Sequence, residues 1–307
     1  MRLLVTGIAS NLGRLVARQA LAARHDVVGI DRRPWPDAPR EIEMHAVDLT
    51  KRAAEDVFRT RRPDAVVHLA TVSHDSRDAD DRYRINLGGT RLVFDLAARH
   101  GLKSVVFVGR HTFYGASADS PLYHTETDAP LAVATFPELA DLVAADLFAA
   151  AALWRMPHVR TLVLRLCYMI GPSKKGTLAR FLARRRVPMV LGFDPLFQTM
   201  HESDAAQAIL TAALAAVDEG LKGVFNVAGP QPLPLSEVIR LTGRTAVPLP
   251  EPMYPWAFGR FGLPSLAAQS LEHIKHPVVV DDGAFRRATG YAHTWDEAET
   301  LSSFRYA

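Results

Sequence analysis

A single cysteine, Cys167, stands in 307 residues, so no internal disulfide can form and the disulfide-framework class is excluded. Nothing at the N-terminus follows the charged-then-apolar plan of a secretory signal, and a reducing cytoplasm is the expected compartment. Long apolar runs are missing too. The alanine-rich stretch from Ala144 to Trp154 carries Asp146 and falls well short of the ~20 apolar residues a membrane span requires. Charge of one sign is also scarce: 36 Lys and Arg against 33 Asp and Glu leave a net +3, too little to argue for a nucleic-acid partner. The one tight basic run, Arg184-Arg185-Arg186, closes a segment from Thr177 expected to be helical, where cations complement the C-terminal dipole. Internal repeats and low-complexity tracts are absent. Twelve histidines, from His25 through His74 to His293, show neither a two-histidine helical spacing nor an accompanying cysteine pair, so no metal site is expected.

What is present is a chain 48% hydrophobic, enough for a sizeable core. Leu3-Leu4-Val5, a glycine turn, a helical period over Leu12 to Ala23 and a second apolar run from Asp26 to Ile30 make a βαβ unit. Further buried strands are expected at Val47, Ala65 to Leu69, Val105 to Val108 and Thr161 to Leu166. Helices are expected over Ala53 to Arg61, Asp80 to His100 and Pro137 to Arg155. Apolar runs alternating with helices specify an α/β fold, a doubly wound parallel sheet covered on both faces. After Gly171-Pro172 prolines and glycines become frequent and helices short. Residues 1–170 are therefore read as the dinucleotide-binding domain and 171–307 as a smaller substrate lobe interleaved with it. In that lobe Tyr254, Trp256, Phe258 and Phe261 either line an apolar pocket or plug the core.

Thr6-Gly7-Ile8-Ala9-Ser10-Asn11-Leu12-Gly13 follows a buried strand and opens a helix, the context of a pyrophosphate-binding turn. Gly7 permits the turn and Gly13 the close approach of helix and strand. Free N–H groups at the helix start, around Asn11 and Leu12, would hold the phosphates. Ser10, where a middle glycine is usual, narrows the approach but adds a hydroxyl donor. Asp31 ends the second strand at the offset for adenosine ribose hydroxyls. Arg32 and Arg33 follow and can pair with a 2′-phosphate, which favours NADPH over NADH.

These residues resemble the extended short-chain dehydrogenase/reductase family, with its NAD-dependent sugar epimerases and dehydratases, along nearly the whole chain. The likeness continues at Asp48-Leu49, where the family contacts adenine, and at His68-Leu69-Ala70-Thr71, a strand end lining the cofactor. It continues at Asn86 within Ile85 to Thr90, at Tyr114-Gly115, at Leu164-Arg165 through Gly171-Pro172, and at His201-Glu202-Ser203-Asp204. The resemblance implies a Rossmann fold, a nicotinamide cofactor and a small-molecule substrate.

The family's catalytic set is not carried over. A Ser or Thr is expected four positions before Tyr114, where Arg110 stands. Tyr-x-x-x-Lys matches best at Phe136 to Ala140, so phenylalanine replaces the proton donor and alanine the lysine. Candidates for the chemistry are then Arg110, a cation able to stabilise a developing alkoxide, and His111, Thr112 and Tyr168. Tyr114 and His201 are second-rank donors.

Three readings follow. In the first, the chain reduces a ketone with NAD(P)H, and the ketone is activated by its own phenolic hydroxyl, as in an aromatic polyketide. Family members without the tyrosine resemble tailoring ketoreductases of that kind, the angucyclinone ketoreductases of the simocyclinone type being the nearest analogy. In the second the fold is a non-catalytic NAD(P)H sensor. The third, a nucleotide-sugar epimerase or dehydratase, asks for base chemistry that Phe136 and Ala140 do not supply.

Overall fold

The computed structural model describes residues 1–73, 78–257, 259–260, 263–264 and 270–306. His74, Phe258 and Phe261, singled out above, lie outside the described residues.

In chain order the first half runs β1 Arg2–Thr6, α1 Asn11–Ala22, β2 Asp26–Asp31, β3 Glu43–Ala46, α2 Arg52–Arg61, β4 Ala65–His68, α3 Ala79–Tyr83 and α4 Gly89–Arg99. It continues with β5 Ser104–Arg110, α5 Ala132–Thr135, α6 Ala140–Arg155, β6 Arg160–Leu166 and β7 Tyr168–Ile170. Then follow α7 Thr177–Phe181, β8 Arg186–Val190, β9 Leu196–His201, α8 Glu202–Asp218, β10 Gly223–Val227, β11 Pro232–Pro234, α9 Leu235–Leu241 and β12 Thr245–Leu249. Short helices α10 Tyr254–Ala257, α11 Leu271–Lys275, α12 Gly283–Thr289 and α13 Glu297–Tyr306 complete the described chain.

Seven strands form one parallel sheet in the order β10-β6-β5-β4-β1-β2-β3. Strand order reverses at β1, which has β2 on one side and β4 on the other, so the carboxyl ends of β1 and β4 make the switch-point crevice of a Rossmann sheet. Side chains alternate across the strands. Leu3, Val5, Val106 and Leu162 enter an apolar layer with α1 and α8, while Leu4, Val66, Val105 and Val163 enter another with α2, α4 and α6. Burial on both faces explains why these strands read as unbroken apolar runs.

β10 and α8 come late in the chain yet belong to this layer: β10 pairs with β6 and α8 supplies buried alanines to the same core as α1. The smaller lobe has a three-stranded sheet, β11-β9-β7, and a two-stranded one, β12-β8, over a separate apolar cluster that includes Ile170, Leu178, Phe181 and Tyr254. Among the described residues no helix is long and apolar enough to cross a membrane.

Three expectations need correction. The helix from Thr177 stops at Phe181, and Arg186 already begins β8, where the chain pairs with β12 from Arg186↔Thr245 onward, so the end of the basic run belongs to a strand. Val47 follows the strand rather than forming it, and β3 is half-buried, as an edge strand is. The span from Asp80 to His100 is interrupted by a π-turn at Arg84–Gly88 that contains Asn86. Of the aromatic set, Tyr254 is buried in the lobe core and Trp256 is exposed.

Candidate active site

The turn after β1 is built for close approach. Gly7 has φ +75°, and a Cβ there would meet the Leu69 carbonyl carbon at 2.8 Å. At Gly13 a Cβ would meet the Gly7 oxygen at 2.5 Å. Helix α1 starts at Asn11, and its first N–H groups have no carbonyl of their own helix to bond. Ser10 caps it: its Oγ accepts the Gly13 N–H at 3.0 Å. The bond takes a lone pair of Ser10 and leaves its O–H proton for another acceptor, while the Gly13 N–H is no longer free. Asn11 and Leu12 still carry N–H groups at the positive end of a 12-residue helix, a setting that suits a pyrophosphate.

Asp31 Oδ2 accepts the Ala9 N–H at 3.0 Å and Oδ1 the Arg33 N–H at 2.9 Å, so this carboxylate holds the turn and its own loop together. Arg32 leans toward Asp48, Nε to Oδ2 3.9 Å, and Arg33 toward Asp31, 3.6 Å. Asp48 accepts the N–H and hydroxyl of Thr50. Leu49 is buried in the core layer below α4, and Ala70 packs against the same layer. The Asn11 side chain donates to Glu202 Oε2 at 2.9 Å. Glu202 also accepts the N–H and hydroxyl of Ser173, tying the glycine turn to the loop after Gly171-Pro172.

A cleft of about 770 Å³ opens from this turn. Ser10, Leu12, Arg33, Leu69 and Thr71 line one end, and Arg110, His111, Thr112 and Tyr168 stand in the same wall. Asp48, Leu49 and Ala70 are not part of it. The chain reaches this arrangement because β5 ends at Arg110 and breaks into a tight turn over His111–Tyr114, while β7 brings Tyr168 alongside.

Phe136 also lines the cleft, 5% exposed, its ring 5.6 Å from that of His273. Ala140 opens α6 behind it. Next to that alanine, Asp141 is buried; Asn86 Nδ2 donates to its Oδ2 at 2.5 Å and Arg82 Nε lies 3.6 Å away. The π-turn gives Asn86 this reach and also lets its Oδ1 accept the Val72 N–H at 2.8 Å. Arg82, the cation beside the start of α6, therefore serves a buried carboxylate.

His111 is 1% exposed and its Nδ1 lies 3.1 Å from the Leu166 carbonyl oxygen. A carbonyl only accepts, so Nδ1 carries the proton and Nε2 a bare lone pair. Burial and the nearby His273 push its pKa down to about 3, and the ring is neutral. Tyr168 meets it edge-on at 4.3 Å and 83°; burial pushes the Tyr168 phenol well above its ordinary range, so it is a poor acid.

His68 is a further buried imidazole. Thr90 Oγ1 donates to Asn86 O, so it accepts from His68 Nε2 at 3.2 Å, and Thr6 Oγ1 then donates to Nδ1 at 2.7 Å. This chain of bonds locks the ends of β1 and β4 against α4.

Both second-rank donors are structural. The Tyr114 hydroxyl donates to Asn226 Oδ1 at 2.7 Å and accepts from Arg165 at 2.9 Å in a fully buried site. Arg165 in turn pairs with buried Asp146 at 2.8 Å. His201 caps α8, its Nδ1 accepting the Ser203 N–H, and its ring stacks on Trp295 at 4.0 Å. Sequence reading missed Lys175, Arg180, Ser270 and His273 in the far wall of the cleft. Only the Lys174-Lys175-Gly176 run after Gly171-Pro172 hinted at them. No group of three His, Cys, Asp or Glu able to hold a metal occurs among the described residues.

An uncharacterized protein of Mycobacterium tuberculosis is 30% identical over 322 residues, covering 98% of this chain and 82% of its own. UDP-glucose 4-epimerase 4 of Oryza sativa is 33% identical over 135 residues, 38% of this chain and 37% of the rice protein. Among solved structures, the UDP-glucose 4-epimerase of Thermus thermophilus in complex with NAD superposes with a TM-score of 0.76 at 20% identity, covering 99% of this chain and 98% of that one. The model of the NAD dependent epimerase/dehydratase family matches residues 3–228. With the strand order, the glycine turn and the capped helix α1 in place, the chain belongs to that family.

Proposed function

We propose that this chain is an NAD(P)H-dependent ketoreductase that works without the tyrosine–lysine proton donor of its family. The observation that carries the reading is Phe136, a ring with no ionisable oxygen, in the cleft wall at the tyrosine position, with Ala140 at the lysine position. A positioned general acid is worth roughly 10²–10⁴ in rate, about 3–5 kcal/mol of barrier. That loss is survivable where orientation supplies most of the acceleration.

The residues fit a dinucleotide. Gly7 and Gly13 leave room that a Cβ would fill, the start of α1 offers N–H groups, and Asp31 stands at the ribose offset. The bound nicotinamide supplies hydride. Each of the two arginines lies near a carboxylate, Arg33 3.6 Å from Asp31 and Arg32 3.9 Å from Asp48, but Arg33 lines the cleft and Arg32 does not, which supports NADPH over NADH through Arg33.

This chain's residues would then orient the ketone and steady the charge that develops on its oxygen. Arg110, Lys175 and Arg180 line the cleft with no carboxylate among the described lining residues, a setting that favours an alkoxide. Phe136, Leu139, Leu166, Met169 and Phe181 give the same cleft an apolar side, suited to the body of an aromatic polyketide. A phenolic hydroxyl bonded to the substrate's own carbonyl would replace the lost acid. A cleft of about 770 Å³ is more than a sensor needs.

A second reading, epimerisation of a nucleotide sugar, is favoured by the cationic wall and by the likeness to UDP-glucose 4-epimerases. The experiment that separates them offers purified protein NADPH with a panel of hydroxyaryl ketones, and NAD with UDP-glucose. Consumption of NADPH only with a ketone is the expected result. Interconversion of UDP-glucose, with the ketones inert, would overturn it.

A further inference from the structure

The cleft wall contains an acceptor with nothing to accept. His111 Nδ1 is committed to the Leu166 carbonyl at 3.1 Å, which fixes the tautomer and leaves Nε2 with a lone pair and no proton. That Nε2 is buried and has no hydrogen-bond partner among the described residues, although His111 lines the cleft. A buried acceptor left unmade destabilises the folded chain. His124 Nε2 and His201 Nε2 are likewise buried without a hydrogen-bond partner among the described residues; His111 differs from them in lining the cleft, where a bound molecule can satisfy it.

The chemistry of the missing partner can be narrowed. A ketone oxygen is itself an acceptor and would be repelled by the Nε2 lone pair. An ammonium donor is disfavoured by Arg110, Lys175 and Arg180 in a wall without a carboxylate among its described residues. A neutral hydroxyl remains. The phenol that activates the carbonyl has already spent its one proton on it.

Resting on the ketoreductase reading, we propose that His111 is a specificity residue, its Nε2 accepting a hydrogen bond from a second substrate hydroxyl, distinct from the one bonded to the reacting carbonyl. The substrate is thus a polyhydroxylated ketone. His111 follows Arg110 at the end of β5, so the second hydroxyl lies on the ring that carries the carbonyl or on its neighbour.

The test uses the protein loaded with oxidised cofactor, where no turnover occurs, and calorimetry with two ligands. One is a tetralone with a hydroxyl peri to its carbonyl and a second hydroxyl on the saturated ring. The other is the same molecule with that second hydroxyl methylated. The internal hydrogen bond is common to both. The dihydroxy ligand is expected to bind about tenfold tighter to the wild type, and the preference to fall within about twofold in His111→Phe. His111→Asn guards against misfolding: its amide still offers the Leu166 carbonyl a donor but places no atom at Nε2, and it should behave as His111→Phe does. A preference that survives both substitutions, or no preference in the wild type, overturns the inference. Failure of the ketoreductase reading registers elsewhere, as an absence of NADPH consumption with either ketone while the binding preference stands.

Discussion

Asn11 donates from Nδ2 to Glu202 Oε2 at 2.9 Å across 191 positions of chain. The first residue of the helix that follows the glycine turn is thereby held by the first residue of α8, and the same carboxylate holds Ser173. Asn11→Ala should cost about 1 kcal/mol of stability and weaken dinucleotide binding several-fold. Glu202→Ala, which releases both partners, should cost more. Denaturant unfolding and fluorescence titration with NADPH measure the two effects; a Glu202→Ala protein that binds cofactor as the wild type does would show the tie to be idle.

Restoring only the phenol should achieve little. Phe136→Tyr places a hydroxyl in the cleft with no lysine at position 140 to lower its pKa, so kcat with a hydroxyaryl ketone should change by less than about tenfold. A gain approaching 10²–10⁴ would mean that the missing acid, and not the substrate, limits the reaction.

The two arginines after β2 should separate. Arg33→Ala is expected to weaken NADPH about tenfold or more while leaving NADH nearly unchanged, the loss of one charge-assisted contact. Arg32 is not among the residues that line the cleft, so Arg32→Ala should have the smaller effect. Equal losses for both cofactors would remove the argument for NADPH.

Stability should fall on mild acidification. Burial lowers the pKa of His68 from 6.5 to about 4 and that of His111 to about 3. Below pH ~6.5 the unfolded chain takes up protons that the folded chain refuses, so each group removes up to ~1.4 kcal/mol per pH unit until its folded pKa is reached. Between pH 7.5 and 5 the two together should cost roughly 4 kcal/mol. Urea unfolding across that range measures it, and His111→Phe should about halve the slope. An unchanged slope would mean that His111 is protonated in the folded state.

Much of this was legible beforehand. The apolar runs gave β1, β2, β4, β5 and β6 because a strand buried on both faces must be apolar at every position, and Gly7 and Gly13 showed the turn because nothing larger fits. Arg110, His111, Thr112 and Tyr168, named as candidates for the chemistry from the resemblance, line one cleft. Tyr114 and His201 were misjudged since a sequence does not say where a hydroxyl or ring nitrogen finds its partner: Asn226 is 112 residues from Tyr114. The π-turn at Asn86 hides inside an ordinary helical period. Lys175, Arg180 and His273 escaped notice because their placement depends on how the small lobe folds over the large one, which local periodicity does not record.

The return of β10 to the edge of β6 has a bearing on how the molecule can be divided. A chain stopped after Ile170 would leave β6 as a raw edge, its peptide groups open to any passing strand, and would strip α8 from the apolar surface it covers on α1 and the sheet. The cofactor half cannot be excised by one cut. Ligands of the small lobe and of the dinucleotide turn therefore draw on a single cooperative unit, and filling either end of the cleft should raise the melting temperature of both.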